Sequence, residues 1–194
     1  MAVLISSSAF AAGKISLLDT SLGKKLDTRG WLGLWSDRLE PVKVTLRRVP
    51  ATEDTGEVFE ADFGTGAARP LFVVKGVKAG PVKTVHAQHD GFPDVGAKVR
   101  GEGFELEVQK HGPAGRKLVL REGATEQVLY QQAEADLDGW GVSWVGDADG
   151  DGKLDFLIEA DRHYNLSTSR LFLSSKAGKG QLVKQVAVST ATGC

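Results

Sequence analysis

Apolar and polar residues alternate in short runs along this chain. Residues 104–109 read FELEVQ, which places Phe104, Leu106 and Val108 on one face. Residues 41–49 read PVKVTLRRV and align Val42, Val44 and Leu46 in the same way. Successive side chains leave a strand on opposite faces, so a period of two predicts a half-buried strand. Further short runs at 71–74, 82–87, 117–121, 127–131, 154–159, 170–174 and 182–188 predict more strands. The segments between them are turn-like: HGPAG at 111–115, EGA at 122–124 and AGKG at 177–180. From residue 99 onward, strand and turn follow each other as in successive hairpins, which predicts blade-like sheets in the C-terminal half.

Helical periodicity with caps is missing throughout, and only 21–38 is expected to hold a turn or two of helix. The pattern predicts an all-β, mostly antiparallel protein: a meander, a sandwich or partial propeller-like sheets. Pro41, Pro50 and residues 51–56 read as loops and not as a linker, so 14–194 is expected to be a single β-rich domain. There is no clean internal repeat.

One stretch breaks the alternation. Residues 146–158 read GDADGDGKLDFLI. Counted from Asp147, aspartates stand at positions one, three, five and nine, Gly152 at six and Lys153 at seven. A loop wrapped around an ion points alternate side chains inward, and calcium takes six to eight oxygen ligands. Position six must turn sharply, which glycine does without steric cost. Position seven needs only a carbonyl, so Lys153 is acceptable there. Carboxylates this close repel unless a cation lies among them. The candidate metal ligands are Asp147, Asp149, Asp151, Lys153 through its main chain, and Asp155, and the candidate ion is Ca2+. An EF-hand would carry Glu at position twelve; here that position is Ile158, inside a strand-like run.

DxDGDGxxD followed by an apolar strand resembles the calcium hairpin of FG-GAP repeats, found in integrin α-subunit propellers and in bacterial VCBS-type proteins. The resemblance covers residues 140–175 and includes LFLSS at 171–175. Propellers carry several copies, whereas here DLDG at 136–139 begins a second copy and Trp140-Gly141 replaces its continuation. The resemblance is therefore to single-repeat bacterial exported proteins. It implies a structural calcium in a non-enzymatic binding module, periplasmic or secreted. It also implies a second reading, a periplasmic inhibitor or immunity protein against a peptidoglycan hydrolase, with 89–95 and 161–169 as candidate contact loops. A polysaccharide-acting hydrolase is a third reading; it needs a carboxylate pair in a cleft, and none is identifiable outside the calcium loop.

Composition narrows the picture. The chain has 194 residues, 41% hydrophobic and 25% charged, with a net charge of -1. That balance excludes a chain-wide attraction to nucleic acid, and the densest basic pair is only Arg47-Arg48. Charge is uneven, however: residues 134–161 hold nine acidic side chains and one basic one, Lys153. No run of 18 apolar residues predicts a membrane span. The single cysteine, Cys194, excludes an intrachain disulfide. Residues 1–13, with Ala9-Phe10-Ala11, read as a signal-peptide remnant or a disordered tail.

The remaining candidates have plainer readings. His86, His89, Asp90 and Asp94 match no zinc spacing and are expected at a strand end running into a turn. His163 is expected in a turn. Trp31, Trp35, Trp140 and Trp144 are expected in the core, with Trp140 also a candidate partner contact. FGTGAA at 63–68 lacks the third glycine and the helix of a nucleotide site, and neither HExxH nor GxSxG occurs.

Overall fold

The computed structural model describes residues 14–50, 58–87, 90–92, 94–133, 140–163 and 166–192. The expectations for 1–13, His89, the DLDG stretch at 136–139 and Cys194 lie outside them. The strands are Ser16–Leu17 (β1), Trp31–Trp35 (β2), Arg38–Val42 (β3), Thr45–Val49 (β4), Val58–Asp62 (β5) and Val73–Lys75 (β6). Gly80–Pro81 (β7), Lys83–His86 (β8), Asp90–Phe92 (β9), Lys98–Gly101 (β10), Phe104–His111 (β11) and Gly115–Glu122 (β12) follow. Thr125–Gln132 (β13), Trp140–Asp147 (β14), Asp155–His163 (β15), Leu166–Leu173 (β16) and Lys184–Thr192 (β17) complete the set. Helical structure among the described residues is confined to two 3-10 turns, Thr20–Lys25 and Ser174–Lys176. The protein is all-β, and its strand pairings are antiparallel.

Three sheets stack in layers. The central one has the order β17-β16-β15-β14-β8, with β9 also on β14. On one face lies the meander β10-β11-β12-β13; on the other lies a five-stranded sheet in the order β1-β6-β2-β3-β7. Phe104, Leu106, Val108, Leu118 and Leu120 of the meander pack on Val142, Phe156, Ile158 and Phe172. Leu34, Leu39, Phe72 and Val74 of the five-stranded sheet pack on Trp144, Leu157, Leu171 and Leu173. The central sheet is therefore covered on both faces. That is why Phe156-Leu157-Ile158 and Leu171-Phe172-Leu173 are apolar at every position instead of alternating.

A β-bulge sets which side chain goes to which layer. Val142 pairs with Ile158 and Trp144 with Leu157, so Ser143 is the extra residue. In a regular strand Val142 and Trp144, two residues apart, would share a face; the bulge sends Val142 into one core and Trp144 into the other. Trp144 then meets Phe72 edge-on, at 5.4 Å between ring centres, and its Nε1 donates to Thr84 Oγ1 at 3.1 Å.

One expectation needs correction, and a second is met over part of its range. The 41–49 run is two strands, not one. β3 ends at Val42 and pairs with β2 and β7, while β4 starts at Thr45 and, among the described residues, pairs with β5 alone. Val44, between them, is buried with Trp31 and Val73 under the β4–β5 hairpin. The turn or two of helix expected in 21–38 is the 3-10 stretch Thr20–Lys25; the rest of the segment includes β2, which places Trp31 and Leu34 on opposite faces of the five-stranded sheet.

Candidate metal centre

β14 and β15 form a hairpin of the central sheet, and residues 148–154 join them. The hairpin is tight at its base. A Cβ on Gly146 would lie 2.2 Å from the carbonyl oxygen of Lys83 and 2.4 Å from the Trp144 ring. Gly150 and Gly152 both take left-handed backbone angles, φ 80° and 82°, as the loop reverses.

Asp147 closes the loop around itself. Its Oδ1 accepts from the backbone N–H of Gly150 at 2.7 Å and of Asp151 at 3.1 Å, and its Oδ2 accepts from Gly152 at 2.9 Å. Asp151 Oδ1 accepts from Lys153 N at 2.9 Å. These bonds bring one carboxylate oxygen from each of Asp147, Asp149 and Asp151 within 4.8 Å of one another. At that separation each like-charged pair costs about 1 kcal/mol in water and about 3.5 kcal/mol near a protein surface. Among the described residues this is the one group of three or more His, Cys, Asp or Glu side chains placed to share a metal ion.

The second half of the centre comes from elsewhere in the chain. The 3-10 turn after β16 lays Ser174 and Ser175 against the loop. The Ser174 hydroxyl stands 2.8 Å from Asp151 Oδ2 and 3.1 Å from Asp155 Oδ1. The Ser175 hydroxyl donates to Asp149 Oδ2 in a short bond. The other oxygen of Asp149, Oδ1, is buried and has no hydrogen-bond partner. A buried acceptor without a donor costs about 1–3 kcal/mol, and this one belongs to the carboxylate cluster.

Asp155 is placed differently from the other three aspartates. It is fully buried at the start of β15 and stands outside the three-carboxylate group. Its Oδ2 accepts from Ala148 N and its Oδ1 from Ser174 N, each at 2.8 Å. It thus ties both ends of the loop and the Ser174 turn into one unit. Burial pushes its carboxyl up to about 7, against the pull of those N–H donors, and the Asp149 charge adds to the rise. A cation nearby would oppose that rise. Lys153 keeps its side chain in solvent, and its backbone N–H serves Asp151.

The cluster could hold a metal ion, and its oxygen donors, with no nitrogen or sulfur among them, would suit a hard cation such as calcium or magnesium. Sequence reasoning missed Ser174 and Ser175 as part of it. The only trace is their position directly after the apolar LFL of β16, since they lie 19 or more residues from the aspartates they touch.

The other candidates do not converge. His86 lies on β8 opposite Val145, and Asp94 is in an exposed turn. Trp31 and Trp144 are buried in the core, while Trp35 is half-buried. The side chains of Trp140 and His163 lie outside the described residues. Residues 63–68 form an exposed turn, held by Thr65 Oγ1 donating to Ala68 O at 2.7 Å, and β6 follows with no helix between. Among the described residues, no helix is long and apolar enough to cross a membrane. No protein family, curated protein or solved structure matches the chain.

Proposed function

We propose that this chain is a calcium-binding β protein, in which one structural ion ties the β14–β15 loop to the Ser174–Ser175 turn and so braces a binding module. The observation that carries this reading is Asp149 Oδ1, a buried oxygen without a donor inside a cluster of three carboxylates. A cation satisfies that oxygen and removes the repulsion in one step. Calcium suits the site better than magnesium because the loop offers flexible, unevenly spaced oxygens, whereas magnesium demands a tight octahedron and retains its waters. Asp147, Asp149 and Asp151 supply the charge, and the Lys153 carbonyl is the fourth protein ligand. Asp155 orients the loop through its N–H bonds and lies within reach of the field of the ion.

Calcium sites with Kd near 0.1–1 mM fill only where calcium is plentiful, outside the cytosol. A site of that affinity would place the module in the periplasm or outside the cell. The test is terbium luminescence and calorimetric titration of the purified chain against Ca2+ and Mg2+, beside Asp149→Asn. One calcium site, weakened at least tenfold in the variant, supports the reading. No heat, no sensitised terbium emission and no bound metal on elemental analysis would end it.

A further inference from the structure

The central sheet carries a second feature, unrelated to the aspartate loop. On its face toward the five-stranded sheet, the row Trp144, Leu157, Leu171 and Ala187 is buried. The next row along the strands is polar. Glu159 is opposite Ser169, and Ser169 is opposite Ser189. Two-residue spacing puts these side chains on the same face as Leu157, Leu171 and Ala187. Ser143, the bulge residue, joins the row and donates its hydroxyl to Glu159 Oε1 at 3.2 Å.

The covering sheet does not close over this row. A cleft of about 230 Å³ remains, with Ser143, Glu159, Ser169 and Ser189 along its floor. Phe63, Leu71 and Phe72 are part of its wall. Leu71 is 45% exposed there, although its neighbours Phe72 and Val73 are buried. The cleft is smaller than the ~300–1,000 Å³ of drug-sized pockets and is of a size for a single ring.

We infer that this cleft is a binding site for one pyranose ring. A sugar ring has an apolar C–H face and an edge of hydroxyls. Phe63 and Leu71 offer the first a surface, and for the second Glu159, already an acceptor from Ser143, offers its remaining lone pairs, Ser169 offers a hydroxyl, and Ser189, which donates to Leu18 O, offers an acceptor. Opposed side chains across neighbouring strands stand about 5 Å apart, so the Ser143–Glu159 pair, Ser169 and Ser189 meet hydroxyls at different ring positions. A carboxylate that accepts two hydroxyls fixes the orientation of the ring. The bulge at Ser143 therefore has two effects: it sends Trp144 into the core and leaves a hydroxyl beside Glu159.

The affinity of such a site is low. The binding efficiency typical of small ligands, over roughly a dozen heavy atoms, gives a Kd on the order of millimolar. The test is amide chemical-shift mapping of the full chain in saturating calcium, with methyl β-glucoside, methyl β-galactoside and N-acetylglucosamine each raised to about 50 mM, well above that Kd. At least one is expected to shift the amides around Ser143, Glu159, Ser169 and Phe63. Glu159→Gln and Ser169→Ala, both checked by thermal melt, are expected to keep the fold and to weaken binding, Glu159→Gln by about tenfold. No localised shift with any of the three sugars overturns the proposal, as do shifts that persist unchanged in both variants.

Discussion

Leu157 and Ile158 are neighbours in β15, and both are buried, at 4% and 0% exposure. Leu157 packs with Leu34, Phe72 and Trp144 on one face of the central sheet; Ile158 packs with Leu106, Val142 and Phe156 on the other. In a two-layer sandwich only one of two consecutive strand residues would be costly to truncate. Here both should be. Removal of the side chain beyond Cβ at a site that cannot collapse costs about 2–5 kcal/mol, from lost transfer energy and the cavity left behind. For a chain of this size 1 kcal/mol moves Tm by about 2–4 °C. Leu157→Ala and Ile158→Ala should therefore each lower Tm by roughly 4–20 °C. Urea melts give the free energies directly, with Lys184→Ala, on an exposed position of β17, as a control expected within ~0.5 kcal/mol of the parent. If either substitution costs less than about 1 kcal/mol while the other is large, the central sheet is bare on that face and the three-layer description is wrong.

Three further outcomes follow from the packing and the charges. Gly146→Ala forces a methyl group against the Lys83 carbonyl, so it should destabilise the chain by about 3 kcal/mol or more, read by urea melt. Asp155→Asn puts an amide N–H where the carboxylate accepts from Ala148 and Ser174; in EDTA it should cost roughly 1–3 kcal/mol, and a neutral result would mean those bonds do not brace the loop. On the outer face of the meander, Glu107 is held down to about 2 by the Gln109 amide, Arg121 and Lys98, against an ordinary value of 4.5. Its folded-state pKa is depressed, so its contribution is present above pH 4.5 and is lost as pH falls toward 2. Glu107→Gln should flatten the fall in Tm across that window, and an unchanged slope would contradict the assignment.

Much of the meander can be read directly from the sequence. FELEVQ alternates because one face of β11 meets the core and the other carries Glu105 and Glu107 into a charged network with Arg121 and Lys98. The aspartate loop is legible for a related reason: its geometry is local, set by glycines and by side chains that bond backbone two to five residues away. What cannot be read is non-local. The PVKVTLRRV run keeps its period through a break at which the chain changes sheets, since alternation records exposure and not partners. WLGLW fits helix and strand alike, because both of its faces are covered. The bulge at Ser143 leaves no mark in composition, and Ser174 and Ser175 meet the aspartates only through the β15–β16 pairing.

A bound ion should show itself in a thermal melt of the purified chain in EDTA, in magnesium and in about 1 mM calcium, beside Asp149→Asn. With a Kd of about 0.1 mM, calcium should add about 1.4 kcal/mol and raise Tm by roughly 3–6 °C. Magnesium should give much less, and the variant should lose the calcium increment. Identical melts in all three conditions, from a protein shown by elemental analysis to be metal-free, would mean that the aspartate loop holds no ion.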